Sequence, residues 1–297
     1  MKNKKISAII ACYKDAQAIP IMHQRLTKVF KKIGADYEII FVNDGSPDNT
    51  EEVLRKIISK DTHVIGVNHS RNFSSQMAFT SGMEIAKSDA VVLLDGDLQD
   101  PPEIIEKFYA KWKQGYDVVY GIRTKREAPL YMAIMYKLFY RIFHKMSYIK
   151  IPLDAGDFSL IDKKIVEILK TFPERDRFLR GLRAWVGFKQ TGVSYVRPER
   201  MFGKTTNNLL KNINWATKGI LSFSYVPLQI MTILSFIVFI IALLAITAQI
   251  ILRILLPDTP AGVTTILISV LFLGAIQLLG ISVLGEYIGK IFEEVKQ

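Results

Sequence analysis

Short apolar runs alternate with amphipathic stretches through the first two-thirds of the chain. Ile6 to Cys12, Tyr37 to Asn43, His63 to Asn68, Ala90 to Leu94 and Asp117 to Gly121 read as strands, being brief, rich in β-branched or aromatic residues and bounded by turn residues. Gln17 to Ile33, Asp48 to Ser59, Ser74 to Ala86 and Glu103 to Gln114 carry apolar positions at helical spacing. Strands that alternate with helices predict an α/β domain, a mostly parallel, doubly wound sheet with helices on both faces and right-handed crossovers. The ligand cleft of such a sheet lies at the strand carboxyl ends, where Tyr13, Asp15, Asp44 and Asp97 fall. Further on, Asp154 to Leu160 reads as a loop entering a strand, Arg175 to Trp185 as a short helix and Lys189 to Tyr195 as a covering strand.

The pattern changes after Gly219. No charged residue occurs from Gly219 to Leu252, and none from Thr259 to Gly285. Each run can cross a hydrocarbon core of about 30 Å as a helix, so two transmembrane helices are predicted, Val226 to Leu252 and Val263 to Gly285. A soluble core hairpin of this length would not dispense with every acid and lysine. Pro129 to Met146 places Lys137, Arg141, His144 and Lys145 among Leu130, Ile134, Leu138, Phe139, Ile142 and Phe143. That spacing suits a basic amphipathic helix lying in a membrane interface, or equally a surface helix packed on the sheet. Asn207 to Phe223 carries Lys211, Trp215 and Lys218, a mixture suited to headgroups. The predicted domains are a cytoplasmic α/β domain over 1–205 with the interfacial helix at about 129–146, a juxtamembrane amphipathic helix over 206–225, a transmembrane hairpin over 226–288 and a cytoplasmic tail over 289–297.

The formal net charge of +11 would suit nucleic acid, a membrane surface or a phosphorylated ligand. Beside two spans, anionic lipid and phosphate are the better partners, and no nucleic acid is expected. Lys204, Lys211 and Lys218 precede the first span and Lys290 and Lys296 follow the second, whereas the connection Arg253 to Gly262 carries one Arg and one Asp. The positive-inside rule then predicts an integral protein of the inner or plasma membrane with both termini cytoplasmic. Cys12 is the only cysteine, so no internal disulfide can form. Lys2, Lys4 and Lys5 precede only a short apolar run, which makes a poor signal-peptide core and a good first strand.

Candidate chemistry concentrates in Val91-Val92-Leu93-Leu94-Asp95-Gly96-Asp97-Leu98-Gln99-Asp100-Pro101-Pro102-Glu103. A doubly buried strand ends and two carboxylates with the same facing emerge around a glycine. Hard oxygen ligands there suit Mg²⁺ or Mn²⁺, with water and substrate phosphate completing the shell. Asp100 and Pro101 read as the cap of the following helix. Asp44, in Phe41-Val42-Asn43-Asp44-Gly45-Ser46, can accept from a base N–H or ribose hydroxyls, or close an Asx turn. Arg123 and Arg126 offer planar forks for phosphate oxygens. His144 has no second His or Cys at metal spacing.

Together with Arg71-Asn72-Phe73 and Ala155-Gly156-Asp157-Phe158, these motifs and the two terminal spans resemble the inverting family 2 glycosyltransferases. Within them the chain resembles the polyprenyl-phosphate glycosyltransferases of the GtrB and dolichol-phosphate mannose synthase type, over nearly its whole length. The resemblance implies a Rossmann-like GT-A fold, a nucleotide-sugar donor, Mg²⁺ or Mn²⁺, a membrane polyprenyl phosphate as acceptor and a homo-oligomer. It implies that Tyr13, Asp15 and Asp44 touch the nucleoside, and that Asp95, Asp97 and Gln99 surround the metal and the donor diphosphate. Arg123 and Arg126 would hold the acceptor phosphate, and Arg200, in a segment like the family's mobile Arg-x-x-Gly-x-Ser-Lys loop, would close on the donor. Asp97 and Asp157 are the expected catalytic residues, Asp157 as the acceptor-side base. A phosphate monoester is already largely ionised at neutral pH, with a second pKa of about 6, so orienting an arginine or excluding water is the alternative role for Asp157. The chain departs from the family at Tyr13-Lys14-Asp15, where Tyr-Asn-Glu is usual, and at Ser74-Ser75, where a glycine is common. UDP-glucose is the favoured donor, ahead of UDP-N-acetylhexosamine (GlcNAc or GalNAc) and GDP-mannose. The rival readings are transfer to diacylglycerol or a growing polysaccharide, and a nucleotide-sugar-binding membrane scaffold without turnover.

Overall fold

The structure is a computed structural model that describes residues 4–124, 155–175, 177–199, 201–202, 224–255 and 262–295. They belong to two compact units, the first carrying the sheet and the second the two long apolar helices.

Seven strands, β1 (Lys5–Cys12), β2 (Asp36–Asn43), β3 (Val64–Asn68), β4 (Ala90–Asp95), β5 (Val118–Arg123), β6 (Ala155–Asp162) and β7 (Gln190–Tyr195), form one sheet in the order β3-β2-β1-β4-β6-β5-β7. The first four are parallel, as expected of strands joined by helical crossovers. Beyond them the sheet is mixed: β6 runs antiparallel to both β4 and β5, while β7 is parallel to β5. The strand expected to follow a loop within Asp154 to Leu160 is therefore already formed at Ala155. Gly156 and Asp157 are poor strand formers. The slot between β4 and β5 overrides that preference, because it buries Phe158 and Leu160 in the core.

Helices α1 (Ile19–Ile33), α2 (Thr50–Ile58), α3 (Ser75–Ile85), α4 (Ile105–Lys113), α5 (Lys163–Thr171) and α6 (Leu179–Val186) cover the sheet. α1 buries Ile19, Met22, Leu26, Val29 and Phe30, a stripe at spacings of three and four. It starts two residues later than Gln17 because the carbonyl of Asp15 accepts from the N–H groups of Ala18 and Ile19 and Pro20 sits in the first turn.

One polar knot in this sheet carries a pH prediction. Glu38 of β2 is buried and accepts from Lys5 Nζ at 2.6 Å, Ser7 Oγ at 2.5 Å and the backbone N–H of Lys87 at 2.8 Å. Burial alone would push its carboxyl upward, but Lys5, Ser7 and Lys87 outweigh burial and hold it below the ordinary glutamate value. A depressed folded-state value stabilises the protein above the unfolded pKa, and that contribution fades as pH falls through the folded value. Glu38→Gln should cost about 1.5–3 kcal/mol at neutral pH, and thermal melts at pH 7 and in the acid range should show the gap to wild type closing. A gap independent of pH contradicts the assignment.

In the second unit, α7 (Val226–Leu255) and α8 (Val263–Val295) contain stretches, Val226–Leu252 and Ile268–Phe292, long and apolar enough to cross a membrane. Phe236, Leu244, Ile254, Leu278 and Ile281 lie exposed on them, a surface suited to hydrocarbon. The span expected to end at Gly285 continues as helix through Glu286 to Val295, and Ile288, Ile291 and Phe292 prolong its apolar face past Glu286 and Lys290. The hydroxyl of Tyr287 donates to the carbonyl of Ser224 at 2.7 Å, tying α8 to the residues just before α7.

Candidate active site

The carboxyl ends of β1, β2 and β4 meet at one rim, where Ala11 pairs with Asp95 and Cys12 with Asn43. After β1 the chain turns through Lys14 in the left-handed region, at φ 61°. Ser46 Oγ accepts from the Lys14 N–H at 2.7 Å, and Asp15 accepts from the Tyr13 N–H at 3.0 Å. Tyr13 and Asp15 thus stand on the rim as the sequence predicts, with the Tyr13 ring exposed. Asp44 is there too, but buried and turned to the backbone. Its Oδ1 accepts from Phe73 N–H and meets His69 Nδ1, each at 2.8 Å, and its Oδ2 accepts from Ser74 N–H at 2.9 Å. Asp44 therefore organises the loop over the end of β2, on which Phe73 lies exposed with the Arg71 guanidinium 4.4 Å above its ring.

Asp95 and Asp97 are aimed by a strained turn. A Cβ on Gly96 would lie 2.9 Å from Asp15 Oδ2 and 3.0 Å from the Ala11 carbonyl, so a larger residue would push the Asp15 carboxylate aside and crowd β4 against β1. Leu98 adopts φ 61° and buries its side chain in the core. A left-handed leucine costs on the order of 1–3 kcal/mol, and its anchoring leaves Asp97 and Gln99 on the rim. Asp97 accepts from the Gln99 N–H at 3.0 Å, and the Gln99 amide reaches the Pro198 carbonyl at 3.4 Å.

Asp100 is not the helix cap expected of it. The turn that opens the following helix begins at Pro101 with no side-chain cap, and Asp100 is wholly buried. Its carboxylate accepts from the Tyr195 hydroxyl and faces Arg123 Nη2 at 3.9 Å and Arg197 Nε at 3.7 Å. Arg123 and Tyr195 are register partners at the ends of β5 and β7, and Arg123 Nε donates to the Tyr195 hydroxyl at 3.3 Å. Arg197 Nη2 also lies 3.9 Å from Asp97 Oδ2. Burial would lower the Arg123 pKa, yet Asp100, Tyr195 and Asp95 outweigh it and raise that value. Burial first, then Asp100 and Asp97, pushes the Asp95 carboxyl up to about 8, and Asp157 adds to that push. Burial also pushes the Cys12 thiol well up, with Asp15, Asp48 and Asp95 adding to it, so Cys12 is a core residue rather than a nucleophile.

Asp157 lies on β6, level with Asp95 when the pairing of Leu93 with Ser159 is continued. Gln76 Nε2 donates to its Oδ2 at 3.1 Å, and Arg180 Nε stands 3.2 Å from its Oδ1. Arg183, buried on the same helix, donates to the Gly156 carbonyl at 3.3 Å, and desolvation pulls its guanidinium down to about 10 despite Asp157.

The rim thus gathers Tyr13, Asp15, Asp95, Asp97, Gln99, Arg123 and Asp157, with Asp44 beneath its loop. Arg126, Arg200, the helix expected at 129–146 and most of the one expected at 206–225 lie outside the described residues. Sequence reasoning passed over Arg197, Tyr195, Gln76 and Arg180. Tyr195 and Arg197 carried one usable signal, their place at the carboxyl end of a predicted strand.

Among the described residues no group of three or more His, Cys, Asp and Glu is placed to hold a metal. Asp95 and Asp97 nevertheless form the kind of carboxylate pair from which Mg²⁺ or Mn²⁺ binds when phosphate and water supply the remaining ligands. The raised Asp95 pKa and the buried Asp100 Oδ2, which has no hydrogen-bond partner, mark an excess of anionic oxygen that a cation would relieve.

A mixed α/β sheet with this carboxylate rim fits the class of glycosyltransferases. Residues 7–169 match the family described as Glycosyl transferase family 2. The chain is 39% identical over 293 residues to an uncharacterized glycosyltransferase of Synechocystis sp., covering 98% of this chain and 92% of that protein. It is 37% identical over 294 residues to the prophage bactoprenol glucosyl transferase homolog of Escherichia coli, covering 99% and 96%. With the bactoprenol glucosyl transferase of Shigella phage SfII it shares 37% over 293 residues, covering 98% and 95%. A mannosyltransferase of Pyrobaculum calidifontis, solved with GDP-Man and Mn²⁺, aligns at TM-score 0.48 and 16% identity over 68% of this chain and 59% of that one. The chain belongs to glycosyl transferase family 2.

Proposed function

We propose that the protein transfers glucose from UDP-glucose to polyprenyl (undecaprenyl) phosphate on the cytoplasmic face of the membrane, with inversion at the anomeric carbon. The observation that carries this reading is the meeting of Asp95, Asp97, Asp100 and Asp157 with Arg123, Arg197 and Arg180 at one strand-end rim. Family membership supports sugar transfer, and the relatives named bactoprenol glucosyl transferase support the lipid acceptor and the sugar. Two helices apolar enough to cross a membrane would keep such an acceptor beside a water-borne donor.

Tyr13 and the loop held by Asp44 form the nucleoside end of the site. Asp95 and Asp97, with Gln99 beside them, would hold Mg²⁺ or Mn²⁺, which when bound neutralises the departing nucleoside diphosphate. Arg197, between Asp97 and Asp100, supplies a fixed positive charge next to that diphosphate, and Arg123 does so on the acceptor side. The acceptor phosphate attacks the anomeric carbon as the bond to the diphosphate breaks on the opposite face, so no protein nucleophile is required. Asp157 has both oxygens engaged, by Gln76 and by Arg180, and serves as an orienting group. An already ionised acceptor has no proton for it to remove. Positioning of this kind is worth up to roughly 7–11 kcal/mol.

Radiolabelled UDP-glucose incubated with membranes containing the protein, undecaprenyl phosphate and Mn²⁺ should yield a labelled lipid that mild acid cleaves. Label from GDP-mannose or UDP-N-acetylhexosamine instead would correct the sugar. Donor binding with no lipid product from any of the three would support the scaffold reading.

A further inference from the structure

Gln76, which engages one oxygen of Asp157, is buried at 3% exposure, and its other contact reaches beyond that carboxylate. Both ends of its amide are taken. Its Oε1 accepts from the backbone N–H of Leu179 at 2.8 Å, and its Nε2 donates to Asp157 Oδ2 at 3.1 Å. The Leu179 N–H can only donate, so the orientation of the amide is settled by chemistry: the NH₂ must face the carboxylate. Leu179 is the first residue of α6, which carries Arg180. One side chain therefore holds the carboxylate of the Asp157–Arg180 pair directly and the helix bearing its guanidinium through the helix's first N–H. The Asp157 Oδ1 to Arg180 Nε contact at 3.2 Å is an ion pair without hydrogen-bond alignment, so it relies on its neighbours for its geometry.

Gln76 also has a fixed relation to the other end of the site. Two residues before it, Ser74 donates its N–H to Asp44 Oδ2, and α3 begins at Ser75. Asp44 is thus tied through the Ser74 N–H to the start of α3, and α3 carries Gln76 and its bond to Asp157, from the nucleoside end of the rim to the acceptor side. We infer that Gln76 is a positioning residue that sets the Asp157–Arg180 pair against the donor site, so that it governs the chemical step more than donor binding. This inference rests on the transferase reading.

The test is steady-state transfer by the full-length protein in membranes, with UDP-glucose and undecaprenyl phosphate, for wild type, Gln76→Met and Gln76→Glu. Gln76→Met fills the space with neither polar end. It should lower kcat by about 10- to 100-fold, the effect of misplacing reacting groups by about 1 Å, while the donor KM stays within about threefold. Gln76→Glu keeps the acceptor for Leu179 but sets a second carboxylate against Asp157. Two carboxylates in contact take up a proton, so the acid limb of its pH–rate profile should move to higher pH. A purely structural glutamine would reduce the amount of active enzyme and leave the profile in place. Should Gln76→Met not fold, Gln76→Glu decides alone. The inference is overturned if both variants keep kcat within threefold of wild type, or if the loss lies in donor KM with an unmoved pH profile. A wild-type protein that transfers no sugar to the lipid overturns the transferase reading instead, and this inference with it.

Discussion

Asp97→Asn is expected to lower sugar transfer by roughly 10²–10³-fold, the range seen when one preorganised electrostatic group is removed from a reacting centre. Asn keeps the size of the side chain and can still accept from the Gln99 N–H. What it loses is the negative charge that faces Arg197 at 3.9 Å and that, beside Asp95, would hold the divalent ion. Because Asp97 sits at the end of a turn anchored by buried Leu98, the fold should survive: thermal melts and membrane extraction should match wild type. Initial rates in membranes, measured across a Mn²⁺ titration, check this. Rates equal to wild type at every Mn²⁺ concentration would remove Asp97 from the site.

Gly45→Val is expected to have the largest effect on stability. Gly45 lies at φ 61°, and a Cβ there would fall on the backbone of Arg71 and Asn72, 2.7 Å from the Asn72 nitrogen. Backbone cannot swing aside as a side-chain tip can. The left-handed conformation costs a β-branched residue roughly 1–3 kcal/mol, and overpacking adds roughly 1–3 kcal/mol. Against a total stability of about 5–15 kcal/mol, that is a serious loss. For a domain of this size it corresponds to a fall in Tm of roughly 5–20 °C. The same clash would lift the loop that Asp44 holds through Phe73 and Ser74, so donor binding should weaken in whatever protein remains folded. A melting point within about 2 °C of wild type contradicts the close approach.

Much of this architecture was legible in the chain because its signals are local. The run Val91 to Leu94 announces a doubly buried strand, and the change of polarity at Asp95 places the carboxylates on the rim. What could not be read are features that depend on partners distant in sequence. Asp100 looks like a helix cap because a proline follows it, whereas Tyr195, Arg123 and Arg197 make it a buried counter-ion. That the Asp44 carboxylate holds the N–H groups of Phe73 and Ser74 likewise depends on residues far along the chain. The start of strand β6 is read too late because Gly156 and Asp157 have turn chemistry, while its place in the sheet comes from burial between β4 and β5. The left-handed backbone at Leu98 leaves no trace in composition, since glycine or asparagine is the usual marker of that conformation.

Asp95 and Asp97, the acids that close β4, would hold a divalent ion, and that ion would neutralise the departing nucleoside diphosphate. Anomalous scattering from crystals soaked in Mn²⁺ and UDP-glucose tests it most directly. A manganese peak is expected at the carboxylates of Asp95 and Asp97, with the nucleotide bound beside it. Manganese and nucleotide bound together elsewhere on the molecule, with Asp95 and Asp97 bare, would contradict it.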